Sequence, residues 1–583
     1  MNILIKIINI LPIALFAVFF FGFCVFIHEL GHFLAAKWRG MHINAFSIGF
    51  KKAWGKKING VDYRIGWLPF GGYVDLPQID SSGEAKDEDG KSLPQVKPVD
   101  KIIVAAAGPF FNVLFGLFLG IFVWVYGLPQ GTPDTNSFIV GSIDERSPEY
   151  AAGLRKGDTI VKLNDKKFNR NWDSFRRKIL FSLGKVRLTV VSAGDEKTKE
   201  ISYYPKANPI TRREGLAIPF FSPVYTGVLE VKEGSPQYIA GLRTGDFVVK
   251  ANGVLVTDIL DLGMEISEFF VANKKSNGIN LTVRRGNELV EIKDVPIKES
   301  ALKDYIFSIG FGYSQEKAME IGKLLSQNAK NAGFKVGDVV VGFNNERVIE
   351  PMKLGQLIKE NGSKSCTITV LRPNTGSIDI KVTPLKINLE PFAKYKEIYS
   401  YPTPFKQLAN TVSMTYYTLR SVFAGAVGER QSSIKAKNFS GPIGIFDAIF
   451  RVASQSWLQA IHLIVVISFS LAILNIMPFP VLDGGHIVVS SIQWARKGKP
   501  VPEFILKPIY VVFVLFIVFF FLFVTMNDIL RLGDRIIPKS YDEEIQENKN
   551  NSVDSKIDDA TAKSTDEKKS MQIILKNPDS SKK

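Results

Sequence analysis

Residues 7–32 read IINILPIALFAVFFFGFCVFIHELGH. From Ile7 to Ile27 there is no charge, and roughly 20 such residues suffice to cross a bilayer as a helix. The run passes directly into His28-Glu29-Leu30-Gly31-His32 without a small-residue cleavage site. Although Lys6 precedes it as in a secretion signal, the segment therefore reads as retained. His28 and His32 stand four apart on one helix, so their imidazoles leave the same face about 6 Å apart along the axis and can converge on one metal ion. Glu29 is the residue type that takes a proton from a metal-activated water. Ionisable groups at the end of an apolar helix are costly and default to a functional role; the duller alternative is a structurally satisfied histidine pair.

Three further uncharged runs, Ile102 to Tyr126, Val452 to Leu482 and Pro508 to Asn527, make four candidate spans and place both termini on one side. The fold class is a multi-pass α-helical membrane protein. Lys37, Arg39, Lys51 and Lys52 follow the first span, Lys91, Lys97 and Lys101 precede the second, and Arg496, Lys497 and Lys499 lie between the third and fourth, which assigns those short loops to the cytoplasm. Arg430, Lys435, Lys437, Arg531 and Arg535 run against that bias. The net charge of +16 is thus membrane-flanking rather than a nucleic-acid stripe, and no nucleic-acid partner is expected. Two cysteines, Cys24 and Cys366, exclude a disulfide scaffold or a Cys-rich metal module.

Between spans two and three one phrase recurs. It reads Ser147-Pro-Glu-Tyr-Ala-Ala-Gly153-Leu-Arg-Lys-Gly157-Asp158, then Ser235-Pro-Gln-Tyr-Ile-Ala-Gly241-Leu-Arg-Thr-Gly245-Asp246, then more weakly Asn331-Ala-Gly333-Phe-Lys-Val-Gly337-Asp338, with an Asn at Asn164, Asn252 and Asn344. A period of roughly 90 residues is a tandem domain rather than a solenoid repeat. Each copy predicts a short helix, a Gly-Asp turn, an apolar strand and a turn Asn. The pattern resembles PDZ domains, α/β modules that accept peptide C-termini by strand addition. The expected organisation is 1–36 span one, 37–101 cytoplasmic and membrane-associated loop, 102–126 span two, and PDZ-like copies at 135–206, 222–297 and 305–386. An amphipathic linker at 387–451, span three at 452–485, span four at 505–530 and a disordered tail at 540–583 complete it.

A third ligand must come from elsewhere, and Asp483, in Asn475-Ile-Met-Pro478-Phe-Pro480-Val-Leu-Asp483-Gly484-Gly485-His486, is the comparably placed acid. Two histidines and one aspartate leave a coordination position open, as hydrolysis requires. With Gly71-Gly72-Tyr-Val, Gly108-Pro-Phe-Phe-Asn112 and Ser440-Gly-Pro-Ile-Gly-Ile445, these motifs resemble, in order and over roughly residues 1 to 535, the RseP-type branch of the site-2 proteases, intramembrane zinc metalloproteases. The resemblance implies Zn2+ on His28, His32 and Asp483, Glu29 as general base, and Asn475 and Pro478 near the substrate strand. It also implies a bacterial inner-membrane location with the PDZ-like copies outside, and substrates that are single-pass membrane proteins already trimmed on the outer side. The family usually carries two PDZ copies, and this chain shows three.

The segment Ala45 to Leu76, with Gly71 and Gly72, reads as a hairpin whose edge holds unwound substrate. Cys24 reads as packing or a ligand, His42 and His462 as ordinary membrane-edge or packing residues, His486 as a solvent-facing residue or an orienting neighbour of Asp483, and Asn112 as a cross-helix bond or a substrate seat. Two rivals remain: a non-catalytic membrane scaffold that gathers peptides, and a metal or solute transporter. Neither explains Glu29 between the two histidines.

Overall fold

A computed structural model describes residues 3–536, apart from 80–84, 88, 195–196, 209–215, 274–275, 277, 299–304, 314–318, 349, 374 and 427–437. The tail expected at 540–583 lies outside the described residues, as do Arg430, Lys435 and Lys437.

Helix α1, Ile3–Arg39, leads into strands β1, Ala45–Ile58, and β2, Val61–Asp75, joined at Asn59-Gly60, both with positive φ, as a tight hairpin turn requires. β2 folds back on itself: Ala45 to Ile48 pair on one side with Asp62 to Ile65 and on the other with Gly72 to Asp75. Helix α2, Pro98–Tyr126, starts with proline in its first turn and stops at Gly127. Arg39 at the end of α1 bonds Asp100 at the start of α2, so the two helices run antiparallel. Their close approach depends on Gly31, where a Cβ would stand 2.5 Å from the Ala107 carbonyl oxygen.

Helix α3, Pro404–Ala426, packs on α2 through Gln407, which donates to the Gly120 carbonyl at 3.0 Å. Helix α4 is Pro442–Gln455, α5 Trp457–Asn475, α6 Asp483–Ala495 and α7 Glu503–Ile536. Stretches of α1, α2, α5 and α7 are long and apolar enough to cross a membrane. The third span differs from the single helix expected at 452–485. Ser456 caps α5 by accepting from Gln459 N–H, and the helix ends at Asn475, ahead of Pro478 and Pro480. Proline removes a helical donor and clashes with the preceding turn, so Asp483 opens a new helix instead of closing the span. Residues 439–448, with the described residues from Val511 to Ile536, form a separate unit. In it the Asp528 carboxylate accepts from Gly441 N–H and Gly444 N–H, both at 2.8 Å.

The three repeats share one local construction. Ser147, Ser235 and Ser326 each cap a short helix. Asp158, Asp246 and Asp338 each accept a backbone N–H three residues earlier and pair with Lys199, Arg285 and Arg372. Asn164, Asn252 and Asn344 sit at φ 48°, 48° and 46°, and their side chains accept from Arg187, Asn280 and Thr367 N–H. Each copy has its own apolar core.

Their connection is not a simple tandem. Lys394–Tyr395 pairs with Leu229–Glu230 in copy two, and Phe392 and Ala393 are buried in that copy's core. Copy three is thus inserted into copy two, and the opening residues of the linker expected at 387–451 complete a module. Outside the whole array, Leu128–Gln130 pairs with Ile398–Ser400, so the chain leaves α2 and returns to α3 side by side.

Candidate metal centre

The ring atoms of His28 and His32 and the Asp483 carboxylate gather with all ligand atoms within 4.8 Å of one another. His28 and His32 are 7% and 6% exposed. His28 Nε2 lies 3.1 Å from Asp483 Oδ2, and His32 Nε2 3.3 Å from Asp483 Oδ1. Residues from opposite ends of the sequence meet because α1 and α6 both pack on α2.

The surrounding bonds set the imidazoles for a cation. His32 Nδ1 donates to the Val104 carbonyl at 2.8 Å, which leaves Nε2 as a lone pair directed at the cluster. The Asn112 amide stands 3.1 Å from His28 Nδ1, and its Oδ1 is otherwise buried without a partner. Turning that oxygen toward the ring lets it accept from Nδ1 and leaves His28 Nε2 as a second lone pair. Two imidazole lone pairs and a carboxylate, with Asp483 Oδ2 lacking a hydrogen-bond donor, are the donor set of a divalent metal.

Glycines allow this density. A Cβ on Gly108 would fall 2.2 Å from His32 Nε2. Cβ atoms on Gly484 and Gly485 would fall 2.1 Å from the Met477 and 2.2 Å from the Phe479 carbonyl oxygens, so the Pro478–Pro480 turn folds tightly against the start of α6 and presents Asp483. Glu29, half-buried on the same turn as His28, lies near the Val74 backbone. Gly72 is its neighbour: a Cβ there would lie 3.3 Å from Glu29 Cγ. Gly71, at φ 122°, sits against the Phe50 ring.

Asn475 Nδ2 reaches within 3.2 Å of His28 Nε2, whereas Pro478 lies in the turn leading to Asp483. Cys24 is 1% exposed in an apolar cluster with Leu119, Val123 and Phe469, the packing role. His42 uses its backbone N–H to bond Gln78, and the His486 ring stands against Tyr510 at 6.5 Å; neither belongs to the cluster. Val104 and Val74 act through backbone groups and carry no sequence signal. Gly108 carries no sequence signal beyond its place in the Gly108-Pro-Phe-Phe-Asn112 motif.

The description "Peptidase family M50" matches residues 15–520. The regulator of sigma-E protease RseP of Escherichia coli is 24% identical, covering 83% of this chain and 90% of that one. Protease RseP of Yersinia pestis is 25% identical over the same shares, and a candidate zinc metalloprotease of Thermotoga maritima is 26% identical, covering 87% of this chain and 97% of that one.

Proposed function

The chain belongs to peptidase family M50, and from that premise we propose that it is an intramembrane zinc endopeptidase that cuts a membrane-embedded segment of a single-pass protein. The observation that carries the reading is the cluster of His28, His32 and Asp483 beside Glu29, three of these four residues on a membrane-length helix. His28, His32 and Asp483 hold the metal. Zinc bound there supplies Lewis acidity toward the scissile carbonyl and the attacking water.

Glu29 is the general base: it takes the proton from that water and delivers it to the departing amine. The Val74 backbone lies near that carboxylate, while Val104 and Asn112 keep the two imidazoles oriented. The Gly71 to Asp75 arm of β2 pairs with β1 on one side and lies against Glu29 through Gly72. An unwound substrate adds to the arm's other edge as a strand, which satisfies its backbone away from water. Asn475 seats the substrate strand on the opposite side of the metal, and Pro478 shapes the turn that carries Asp483.

The repeats are PDZ-like modules on the extracytoplasmic face of a bacterial inner membrane, and they exclude substrates whose outer domains are intact. A peptide scaffold has no use for Glu29 beside the metal ligands. A transporter has none for the β2 arm at that same residue. The test is incubation of the detergent-purified chain with a transmembrane peptide, with and without a chelator. Chelator-sensitive cleavage that zinc restores supports the reading, and cleavage indifferent to chelator overturns it.

A further inference from the structure

Arg284 and Arg285 are successive residues on strand Gly278–Arg285 and so point to opposite faces. Arg285 pairs with Asp246. Arg284 has no acid. It is 5% exposed, donates through its two terminal nitrogens to the Ser137 carbonyl and hydroxyl, and leaves Nε without a partner. Burial alone acts on its charge, drawing the guanidinium below its ordinary value. A desolvated cation without a counter-charge is expensive.

The same side chain lines a cavity of about 10 Å3, room for about one water-sized species. Its walls come from the lead-in to copy one (Thr132, Thr135, Phe138) and from the joint and strand of copy two (Tyr225, Phe247). Thr132 Oγ1 accepts from Trp172 N–H at 2.8 Å, which leaves its own proton to donate. A partnerless guanidinium Nε and a hydroxyl with a proton to give, both on residues lining a small, largely apolar space between two modules, fit a single negative ion better than a neutral ligand.

We propose that this cavity binds one small monovalent anion of halide size, held by Arg284 and the Thr132 hydroxyl, and that its occupancy stabilises the joint between the first and second modules. The full chain in detergent would be melted in sodium gluconate, chloride and bromide at matched ionic strength, and crystals grown in bromide would be checked for an anomalous peak at Arg284. The expected result is a saturable, halide-specific rise of roughly 2–4 °C that Arg284→Met abolishes, together with the bromide peak. If Arg284→Met does not fold, the bromide peak and the halide response of the unmodified chain decide. Equal melting in gluconate and halide without a peak, a water alone at the guanidinium, or a peptide carboxylate bound there instead would each overturn the proposal.

Discussion

Glu29 and Asp483 are both acids at the proposed metal centre, yet they are asked to do different things. Asp483 faces both histidines, whereas Glu29 lies against the β2 arm at Gly72. Glu29→Gln keeps the size and the Val74 contact but cannot accept a proton; zinc measured by atomic absorption should remain near one per chain while peptide cleavage falls by about 10^2–10^4. Near-normal turnover would end the general-base role. Asp483→Ala should instead lose both zinc and activity, because two imidazoles alone hold the ion weakly. Full, tight zinc occupancy in that variant would transfer the third-ligand role to another residue. These positions were legible in the sequence because the chemistry restricts the residue types, His and Asp, and α-helical spacing fixes where the two histidines point. The partners Val104 and Val74 were not, since a backbone carbonyl or N–H belongs to every residue and only the fold selects which one is used.

Elements meet here at glycines, and the consequence for α2 is direct. Gly108 faces the His32 ring at a distance no Cβ tolerates, and both belong to stiff, packed helices, so Gly108→Ala must displace the imidazole. Loss of zinc affinity by at least about tenfold is expected, read by competition with a chromophoric chelator, with helix content unchanged by circular dichroism. Unaltered affinity would show that α1 and α2 give way more easily than their packing implies.

In copy one the helix opened by Ser147 buries Glu149 at 1% exposure, beside Phe220 N–H, Tyr203 and Asp144. Burial pushes its carboxyl up to about 7 from an ordinary 4.5. The folded state then binds more protons than the unfolded state between those values, so stability falls as pH rises through that window, by up to roughly 3 kcal/mol. Copy two carries Gln237 at this position, donating to the Pro296 carbonyl. Glu149→Gln should therefore raise the melting temperature at pH 8 and leave it nearly unchanged at pH 4.5; an equal shift at both would remove the titration as the cause. The repeat phrases disclosed these helices and turns, because Ser, Gly, Asp and Asn are chosen there for capping and positive φ. The end of span three was less legible: an apolar run continues past Asn475, and only Pro478 and Pro480 mark where the helix must stop.

For the molecule as a whole, the nesting of copy three decides what can be removed. Phe392 and Ala393 show no repeat signature, which is why the closing strand of copy two could not be read from the sequence; a two-residue pairing after an insertion has no periodic trace. Lys298 N–H bonds the Pro391 carbonyl at 2.7 Å, so the chain enters and leaves copy three at neighbouring points. Excising residues 303–386 with a short Gly/Ser bridge should leave copy two folded and protease-resistant, whereas ending the module at Ile297 should expose its core to proteolysis. The ladder of Leu128–Gln130 with Ile398–Ser400 supplies the same advantage for the entire array: residues 135–395 can be replaced by a flexible linker without separating α2 from α3. If the modules work by size exclusion, that deletion admits substrates whose outer domains are intact, because nothing then hinders a bulky outer domain at the extracytoplasmic entrance. If they work by recruiting a trimmed C-terminus, the same deletion slows cutting of trimmed substrate and admits nothing new. The shared Asp–cation pairs and turn asparagines account for how the modules fold, but they provide no common carboxylate-binding set across all three copies, which favours exclusion. Cleavage of matched intact and trimmed substrates by the full chain and the deletion measures the ratio directly, and an unchanged ratio would rule exclusion out.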